Sequence, residues 1–296
     1  MAENICSGCE HDKLAPDGIC NQMLGADGGV VRCVGEWSLE KHYYLRRYID
    51  IFTTSMRRKW QLCYLDFFAG PGLCRVRETC AEIEASPLIA LSAKYPFRKY
   101  IFIDQDPTVC EILKARASRA CKEREFDPDC TSVILGDCNA LTQQIGNLIP
   151  QKSLSLCFLD PTGLQLRFST LSNLARGSRK IDLIINFPIG MALKRNIDQF
   201  YSTKSPTMSE FWGDDSWRDI YESLPKKATD ERFVTSFIQG YRNRLATLGY
   251  QEVKLGSEIG IKHYYYLLFA SKNPLGQKFW REISITDRHG QRRLQL

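Results

Sequence analysis

Five runs of almost continuous apolar residues follow one another in the first two thirds of the chain. They are LCYLDFF (62–68), KYIFID (99–104), SVILGD (132–137), LSLCFLD (154–160) and IDLIINF (181–187). Strands that are apolar on both faces are typical of a parallel sheet covered by helices, and these runs alternate with helical or loop segments. The pattern predicts a doubly wound α/β fold, in which ligands bind beyond the carboxyl ends of the strands.

The remaining periodic segments complete this architecture. An amphipathic helix is expected to begin at Ser38, its predicted N-cap, ahead of the first run. Two later strands, YQEVKLG (250–256) and YYYLLFAS (264–271), bring the predicted sheet to seven strands. We therefore expect a Rossmann-like, mostly parallel seven-stranded sheet with helices on both of its faces.

The chain divides into two predicted regions. Residues 1–35 are rich in cysteine and glycine and have no sustained period, so they are expected to form an irregular arm. Residues 36–296 form the main domain, with a helical insertion at about 190–228, after the fifth strand. Trp212 and Trp217 in this insertion are expected to form its small core, and the alternative is that they stack on a base or form a lid.

Composition and charge narrow the class of protein. The 296 residues are 44% hydrophobic and 25% charged, which is ordinary for a soluble globular protein. The first residues lack the layout of a signal peptide, and we expect a cytoplasmic protein. The net charge of +6, with many basic residues in the second half, suits a nucleic acid or another polyanion, or else a solvated surface.

The twelve cysteines all lie between Cys6 and Cys157. Those inside apolar runs, such as Cys157, are expected to be small buried hydrophobic residues. A zinc site is conceivable in the arm, where Cys6 and Cys9 form a C-x-x-C pair near Cys20 and Cys33. A zinc ribbon normally has two close cysteine pairs and this arm has one, so we predict no metal and a reduced arm.

The loop after the first strand, LDFFAGPG, indicates a ligand site. Gly70 and Gly72 let the backbone approach a ligand, but the third glycine of a dinucleotide loop is missing. A mononucleoside without phosphates fits better, and S-adenosylmethionine is the obvious choice. The D-x-F-x-G-x-G arrangement that begins at Asp66 resembles motif I of Rossmann-type methyltransferases.

That resemblance implies roles for the acidic strand ends. The loop backbone would hold the amino-acid end of the cofactor with Asp66 orienting it, Asp104 would accept hydrogen bonds from both ribose hydroxyls, and Asp137 would receive the adenine amino group. The predicted cofactor-binding residues are Asp66, Phe68, Ala69, Gly70, Pro71, Gly72, Asp104, Gln105, Asp137 and Cys138.

The segment FLDPTGL (158–164) stands where amino-group methyltransferases carry motif IV. Asp160 and the Pro161 carbonyl would accept hydrogen bonds from an exocyclic amine and orient its lone pair, so they are the predicted catalytic residues. The alternative is a simple turn that closes the fourth strand. Thr162 and Gly163 follow as predicted substrate-binding residues, although neither is the aromatic residue that such motifs carry.

Three further polar residues belong to this region. Arg195 follows the fifth strand, where it would bind a phosphate or carboxylate of the substrate, or else lie on a helix surface. Lys41 and His42 lie on the first helix, which in this fold can lean over the cofactor. His42 would act there as a base, or else occupy an ordinary surface or interface position.

The order of motifs resembles one family, the three-Cys-motif partner proteins (TcmP). The matching segments are EKHYYLRRY (40–48), FFAGPG, SPLIAL, DQDP, DPTG, INFP and YYYLLFASKNPLG (264–276), which together cover roughly residues 34–285. The chain departs from the family at Thr162, where Phe is favoured, and at Asp104, where Glu is common. The resemblance implies a class I methyltransferase-like fold and a separate three-cysteine protein as partner.

These observations predict an S-adenosylmethionine-dependent methyltransferase. The expected acceptor is an amino nitrogen, most naturally on a nucleic-acid base. One alternative keeps the enzyme class and changes the acceptor to a protein, peptide or small molecule. Another is a non-catalytic scaffold of the same fold that binds nucleic acid or a partner protein, and the residue Thr162 favours it.

Overall fold

The structure is a computed structural model. It describes residues 23–177, 179–203, 205–225, 228–250, 259–261 and 265–292. The strands of this part of the chain are β1 (Met23–Leu24), β2 (Val30–Val34), β3 (Gln61–Asp66), β4 (Leu73–Val76), β5 (Glu82–Glu84), β6 (Lys99–Asp104), β7 (Thr131–Leu135), β8 (Ser153–Leu159), β9 (Lys180–Phe187), β10 (Ile259–Ile261) and β11 (Tyr265–Ala270).

Helices separate the strands of the main sheet from β3 to β9, and further helices follow β9 in succession. They are α1 (Trp37–Met56), α2 (Ser86–Leu91), α3 (Pro107–Glu123), α4 (Thr142–Leu148), α5 (Phe168–Ala175), α6 (Lys194–Thr203), α7 (Pro206–Trp212), α8 (Trp217–Ser223), α9 (Asp230–Thr247) and α10 (Pro274–Ser284). Asp106 caps α3 by accepting hydrogen bonds from the backbone N–H groups of Thr108 and Val109. The predicted N-cap Ser38 is wrong by two residues, because Glu36 precedes α1 and Ser38 is buried within it.

Seven of the described strands form one sheet in the order β10-β11-β9-β8-β3-β6-β7. The five neighbouring strands β9, β8, β3, β6 and β7 run parallel to one another, while β11 runs antiparallel to both of its neighbours. This confirms the predicted mostly parallel seven-stranded sheet of a doubly wound α/β fold. Residues 251–258, which carry most of the predicted sixth strand, lie outside the described residues, and β10 occupies the edge of the sheet.

Both faces of the sheet are buried, as the continuous apolar runs predict. Along β3, Leu62 and Tyr64 face a core shared with α1, α2, α3 and α10. Cys63 and Leu65 face the other core, which α4, α5, α7 and α9 cover. Alternate side chains of one strand thus enter different cores, and neither face of the strand is left for solvent.

A second sheet lies beside the glycine loop, in the order β1-β2-β4-β5. The prediction of an irregular arm is wrong for residues 23–34, because most of them form β1 and β2, which pair as a hairpin. β2 also pairs in parallel with β4, which begins directly after Gly72. The hairpin is stable here because β4 supplies the hydrogen-bond partners that a two-stranded ribbon lacks.

The insertion after β9 is helical, as predicted. Trp212 and Trp217 are fully buried within it, and Trp212 packs against Tyr241 of α9 with ring centroids 5.6 Å apart. The tryptophans are core residues, but the expectation of a separate small core is wrong, because they join the core that covers one face of the main sheet. Among the described residues, no helix combines the length and the apolar character of a membrane span.

Candidate functional site

The glycine loop passes under the hairpin at the carboxyl end of β3. Gly70 and Gly72 have φ values of 63° and 85°, in the left-handed region that favours glycine. A Cβ at Gly70 would lie 3.3 Å from Arg32 Cζ, and one at Gly72 would lie 3.1 Å from Leu113 Cδ1. The loop therefore needs glycine for its conformation and for the close approach of both neighbours.

Asp104 ends β6 and faces this loop. Its Oδ2 accepts a hydrogen bond of 2.9 Å from the Gly70 N–H, and its Oδ1 accepts one of 3.1 Å from the Asp106 N–H. Arg32 Nη2, which comes from β2 of the hairpin, lies 3.8 Å from Oδ2. The carboxylate is thus oriented by two backbone groups and neutralised by an arginine from the second sheet.

Asp66 lies behind the loop and has no exposed surface. Its Oδ2 accepts a hydrogen bond of 3.3 Å from the Tyr64 hydroxyl. Burial raises the pKa of Asp66 to about 7, and the negative charge of Asp160 acts in the same direction. Ala69, Gly70, Pro71 and Gly72 are also buried, so the loop faces the hairpin and α3 more than the solvent.

A cleft of about 70 Å³ opens at the carboxyl ends of β3, β6, β7 and β8. Its walls carry five of the predicted cofactor residues, Phe68, Asp104, Gln105, Asp137 and Cys138, together with the predicted catalytic Asp160 and Thr162. The lining residues include three aspartates, and Arg32 is the only cation among them. The cleft therefore suits a ligand with several hydrogen-bond donors, positive charge and one carboxylate.

Asp160, just after β8, has both of its carboxylate oxygens engaged. Lys41 of α1 donates a hydrogen bond of 2.6 Å to Oδ2, and Asn186 of β9 donates one of 2.7 Å to Oδ1. The Asn186 side chain is fully buried, and its Oδ1 has no hydrogen-bond partner among the described residues. Lys41 and Asn186 fix the orientation of Asp160, while the remaining lone pairs of its oxygens still permit it to accept.

The loop after Asp160 is held by Gln165. The Gly163 N–H donates to Gln165 Oε1 at 2.7 Å, and Gln165 Nε2 donates to Thr162 Oγ1 at 2.9 Å. Pro161 is buried and Thr162 is exposed at the cleft. The loop is therefore braced by its own side chains, without an aromatic residue at Thr162.

Tyr265 of β11 lies on the far side of Asp160. The Lys41 ammonium is 5.9 Å from the centre of its ring. Burial raises the pKa of Tyr265 and the negative charge of Asp160 acts in the same direction, while the positive charges of Lys41, Arg77 and Arg195 lower it. Arg195 itself is exposed on α6 and does not line the cleft.

His42 is buried, so its expected surface position is wrong. Its Nδ1 has no hydrogen-bond partner among the described residues, and burial followed by the charge of Lys41 lowers its pKa to about 3. The imidazole is therefore neutral at physiological pH and packs inside the domain. It does not line the cleft in which a catalytic base would act.

The proposed metal ligands Cys6, Cys9 and Cys20 lie outside the described residues. Cys33 is half-buried on β2. Within the described ranges, no three histidine, cysteine or acidic residues come together in a way that could hold a metal ion.

The polar residues of the site that sequence reasoning missed include Arg32, Asn139, Gln165 and Asn186. Asn139 donates to Asp137 Oδ1 at 2.8 Å and accepts from the Arg167 N–H, so it joins the loops that follow β7 and β8. Asn186 carried a usable signal, because a polar residue near the end of an apolar strand reaches the same edge as the acidic strand ends. The sequence around Arg32 carried no such signal, because the pairing of β2 with β4 is what brings Arg32 to the site.

Comparison with solved structures finds distant similarity to methyltransferases. Trm1 from Pyrococcus horikoshii, in complex with S-adenosyl-L-methionine, is 11% identical with a TM-score of 0.49, over 88% of this chain and 61% of Trm1. The putative methyltransferase yhhF from Escherichia coli is 13% identical with a TM-score of 0.37, over 76% of this chain and 86% of that protein. No protein-family model and no curated protein matches the chain.

The plantazolicin methyltransferase BamL, in complex with a substrate analogue and SAH, shows the same level of similarity. It is 10% identical with a TM-score of 0.35, over 80% of this chain and 87% of BamL. At such identities and TM-scores no activity is transferred from these proteins, and the function is taken from the residues of the site.

Proposed function

We propose that this protein is an S-adenosylmethionine-dependent methyltransferase that acts on an amino nitrogen, with a nucleic-acid base as the acceptor. The observation that carries the proposal is the convergence of Asp104, Asp137 and Asp160 on one cleft beside the glycine loop. Ligands of doubly wound folds bind at this edge of the sheet. The acids of three successive strands there match the needs of a ribose, an adenine and an acceptor amine.

The charges of the cleft fit this cofactor. Asp104, oriented by the Gly70 N–H, would hold the ribose hydroxyls, and Asp137 would hold the adenine amino group. Arg32 would bind the carboxylate of the methionine end, because it is the one guanidinium of the lining and only loosely paired at 3.8 Å. At about 70 Å³ the cleft is smaller than the roughly 300 Å³ of small-molecule sites, so it must widen when the cofactor binds.

When bound, S-adenosylmethionine supplies a methyl group on a positively charged sulfur. Asp160 and the Pro161 carbonyl accept hydrogen bonds from the acceptor amine and point its lone pair at this methyl group. Lys41 and Asn186 keep the Asp160 carboxylate in one orientation. Asp160 or a water beside it receives the proton that the nitrogen loses.

The choice of a nucleic-acid acceptor rests on the resemblance of the loop to motif IV and on charge. Arg195 is exposed on α6, where it would bind a phosphate of the substrate. The family resemblance further supports a separate three-cysteine protein as partner. Co-purification of the two proteins tests that part of the proposal.

A non-catalytic scaffold is the second candidate function. The observation that favours it is that Lys41 and Asn186 already engage both oxygens of Asp160. If these contacts persist with an acceptor present, the carboxylate directs fewer lone pairs at the amine. Such a protein would bind the cofactor and transfer no methyl group.

Titration calorimetry with S-adenosylmethionine and S-adenosylhomocysteine tests the cofactor site. We expect micromolar binding to the wild type and a loss of at least about tenfold in Asp104→Asn, which keeps the side-chain shape and removes an acceptor. Asp106→Asn is the matched control, since Asp106 caps α3 and lies outside the cleft lining. Absence of binding to folded wild-type protein would refute the proposal.

Transfer of a labelled methyl group tests the reaction. Wild-type protein, alone and with the three-cysteine partner, is incubated with RNA, DNA and a protein extract. Asp160→Asn should abolish most of the label while cofactor affinity stays the same. Tight cofactor binding without label in any acceptor supports the scaffold instead.

A further inference from the structure

The edge of the sheet opposite the cofactor cleft carries a large groove. It has a volume of about 1220 Å³ and lies where α4 and α5 end and where β8 and β9 begin. A second hollow of about 530 Å³ continues it and shares Trp60, Arg179 and Lys180 with it. The two hollows form one surface, which we call the basal groove.

The basal groove is basic. Lys152, Arg176, Arg179 and Lys180 line its larger part, which has no acidic lining residue. The smaller part adds Lys59 and Lys272, and its one acid, Asp182, is buried behind the surface and hydrogen-bonded to the Tyr48 hydroxyl at 2.8 Å. The groove therefore presents a surplus of positive charge to solvent.

Part of this positive charge is engaged by the carboxyl end of a helix. Arg179 donates to the Asn173 carbonyl and Lys272 donates to the Ala175 carbonyl, so these two residues serve the carboxyl end of α5. The exposed side chains of Lys59, Lys152 and Arg176 have no hydrogen-bond or ion-pair partner among the described residues. Their charge is available to a ligand.

The same helix ends restrict the kind of ligand. Small phosphates bind at helix amino ends, where backbone N–H groups point at them, whereas this groove receives the carboxyl ends of α4 and α5. A compact anion enclosed against those carbonyls is disfavoured. An extended polyanion that places successive phosphates beside the exposed lysines and arginine avoids this repulsion.

The groove also offers groups that contact bases. Trp60 is half-buried, with the Lys180 ammonium 5.2 Å from its ring centre, and aromatic rings of this kind stack on unpaired bases. The side-chain amides of Gln143, Asn147 and Gln151 line the same wall and can donate to and accept from base edges. An acidic protein segment has no bases to stack on the Trp60 ring, so the ring favours a nucleic acid.

We propose that the basal groove binds single-stranded nucleic acid. The inference extends the proposed function by giving its nucleic-acid substrate a docking surface away from the cleft. Its test needs no methyl transfer, so the two proposals can fail separately.

Fluorescence anisotropy of the full chain with a labelled single strand of about 12 nucleotides provides the test. We expect the Lys59→Glu/Lys152→Glu variant to bind at least about tenfold more weakly than the wild type. The slope of log K against log salt should become less steep by about 1.4, because each of the two phosphates that the variant no longer neutralises contributes about 0.7. Trp60→Leu should weaken the single strand more than a duplex of equal length.

The matched control is Lys114→Glu/Lys122→Glu, which makes the same charge change on exposed positions of α3. Equal losses in the two double variants, or no binding by the wild type, would overturn the inference. Displacement of the strand by poly-glutamate at equal charge would overturn it in favour of an acidic protein. Cofactor affinity measured on the same variants should equal that of the wild type.

Discussion

Arg32 and Asp104 face each other in the wall of the cleft, with Arg32 Nη2 3.8 Å from Asp104 Oδ2. Their side chains are 17% and 9% exposed, and the Arg32 Nε has no hydrogen-bond partner among the described residues. Asp104 has two backbone donors and remains oriented when the arginine leaves. A ligand carboxylate can therefore replace Asp104 as the partner of Arg32 without loosening the loop.

Replacing Arg32 with methionine separates these roles. Arg32→Met should lower the affinity for S-adenosylmethionine about tenfold, because the carboxylate of the ligand loses a charge-assisted hydrogen bond. Decarboxylated S-adenosylmethionine should bind within about twofold of its wild-type affinity. Arg75→Met on β4 is the control, since Arg75 does not line the cleft. Equal losses for both ligands in calorimetry would contradict the role of Arg32.

The buried carboxyl of Asp66 makes the stability of the protein depend on pH. Its pKa rises from 3.8 to about 7 on folding, so the folded protein binds this proton more tightly than the unfolded chain. The stabilising contribution is complete below a pH of about 4 and is lost as the pH rises through about 7. Burial also raises the pKa of Asp182, to about 6, which acts in the same direction.

Asp66→Asn should remove the part of this dependence that belongs to Asp66. Between pH 5 and pH 8 the free energy of unfolding of the wild type should fall by roughly 2–3 kcal/mol more than that of the variant. Urea denaturation at the two pH values measures this difference, and Asp182 contributes equally to both proteins. Parallel pH profiles would show that Asp66 is ionised throughout.

At the scale of elements, Arg116 of α3 fastens the hairpin and the glycine loop together. Its side chain is 4% exposed and pairs with Asp27 at 2.7 Å, and it donates to the carbonyls of Val30 and Pro71 at 2.7 Å each. Its hydrogen bond lowers the pKa of Asp27 to about 2. One side chain thus couples the second sheet to the main sheet.

Arg116→Met should release the hairpin while leaving the main sheet folded. We expect a loss of about 3 kcal/mol in the free energy of unfolding, because the change leaves a partly buried carboxylate and three carbonyls without their partner. Amide hydrogen exchange of residues 23–34 should quicken in the variant. Arg119→Met, an exposed position three residues further along α3, should leave exchange unchanged. Unaltered exchange in both variants would assign the stability of the hairpin to β4 alone.

The main sheet was predictable because its strands are buried on both faces. The observed β3, β6, β7, β8 and β9 begin within one residue of the predicted runs. The hairpin was not predictable, because its strand β1 has two residues and β2 depends on pairing with β4, about 40 residues away. The position of the acidic strand ends at one edge of the sheet could be predicted from the fold. The contact of Lys41 with Asp160 could not, because the two residues are 119 positions apart in sequence.

At the scale of the whole molecule, charge is divided between the two edges of the sheet. The cleft at the carboxyl edge has three aspartates and one arginine among its lining residues. The basal groove at the opposite edge has six basic residues and one buried acid. The cofactor would thus bind in a negatively charged cleft and the nucleic acid in a positively charged groove. Salt should therefore change the two affinities to different extents.

Raising the salt from about 50 to 200 mM should therefore separate the two ligands. Three phosphate contacts on a single strand give a slope of about −2.1, so nucleic-acid affinity should fall roughly 20-fold. Affinity for S-adenosylmethionine should change less than about twofold, because its charges are enclosed in the cleft and largely cancel within the ligand. Parallel anisotropy and calorimetry over the same salt range measure both quantities. A nucleic-acid affinity that ignores salt would show that the lysines and arginines of the basal groove do not contact phosphates, whatever the cofactor does.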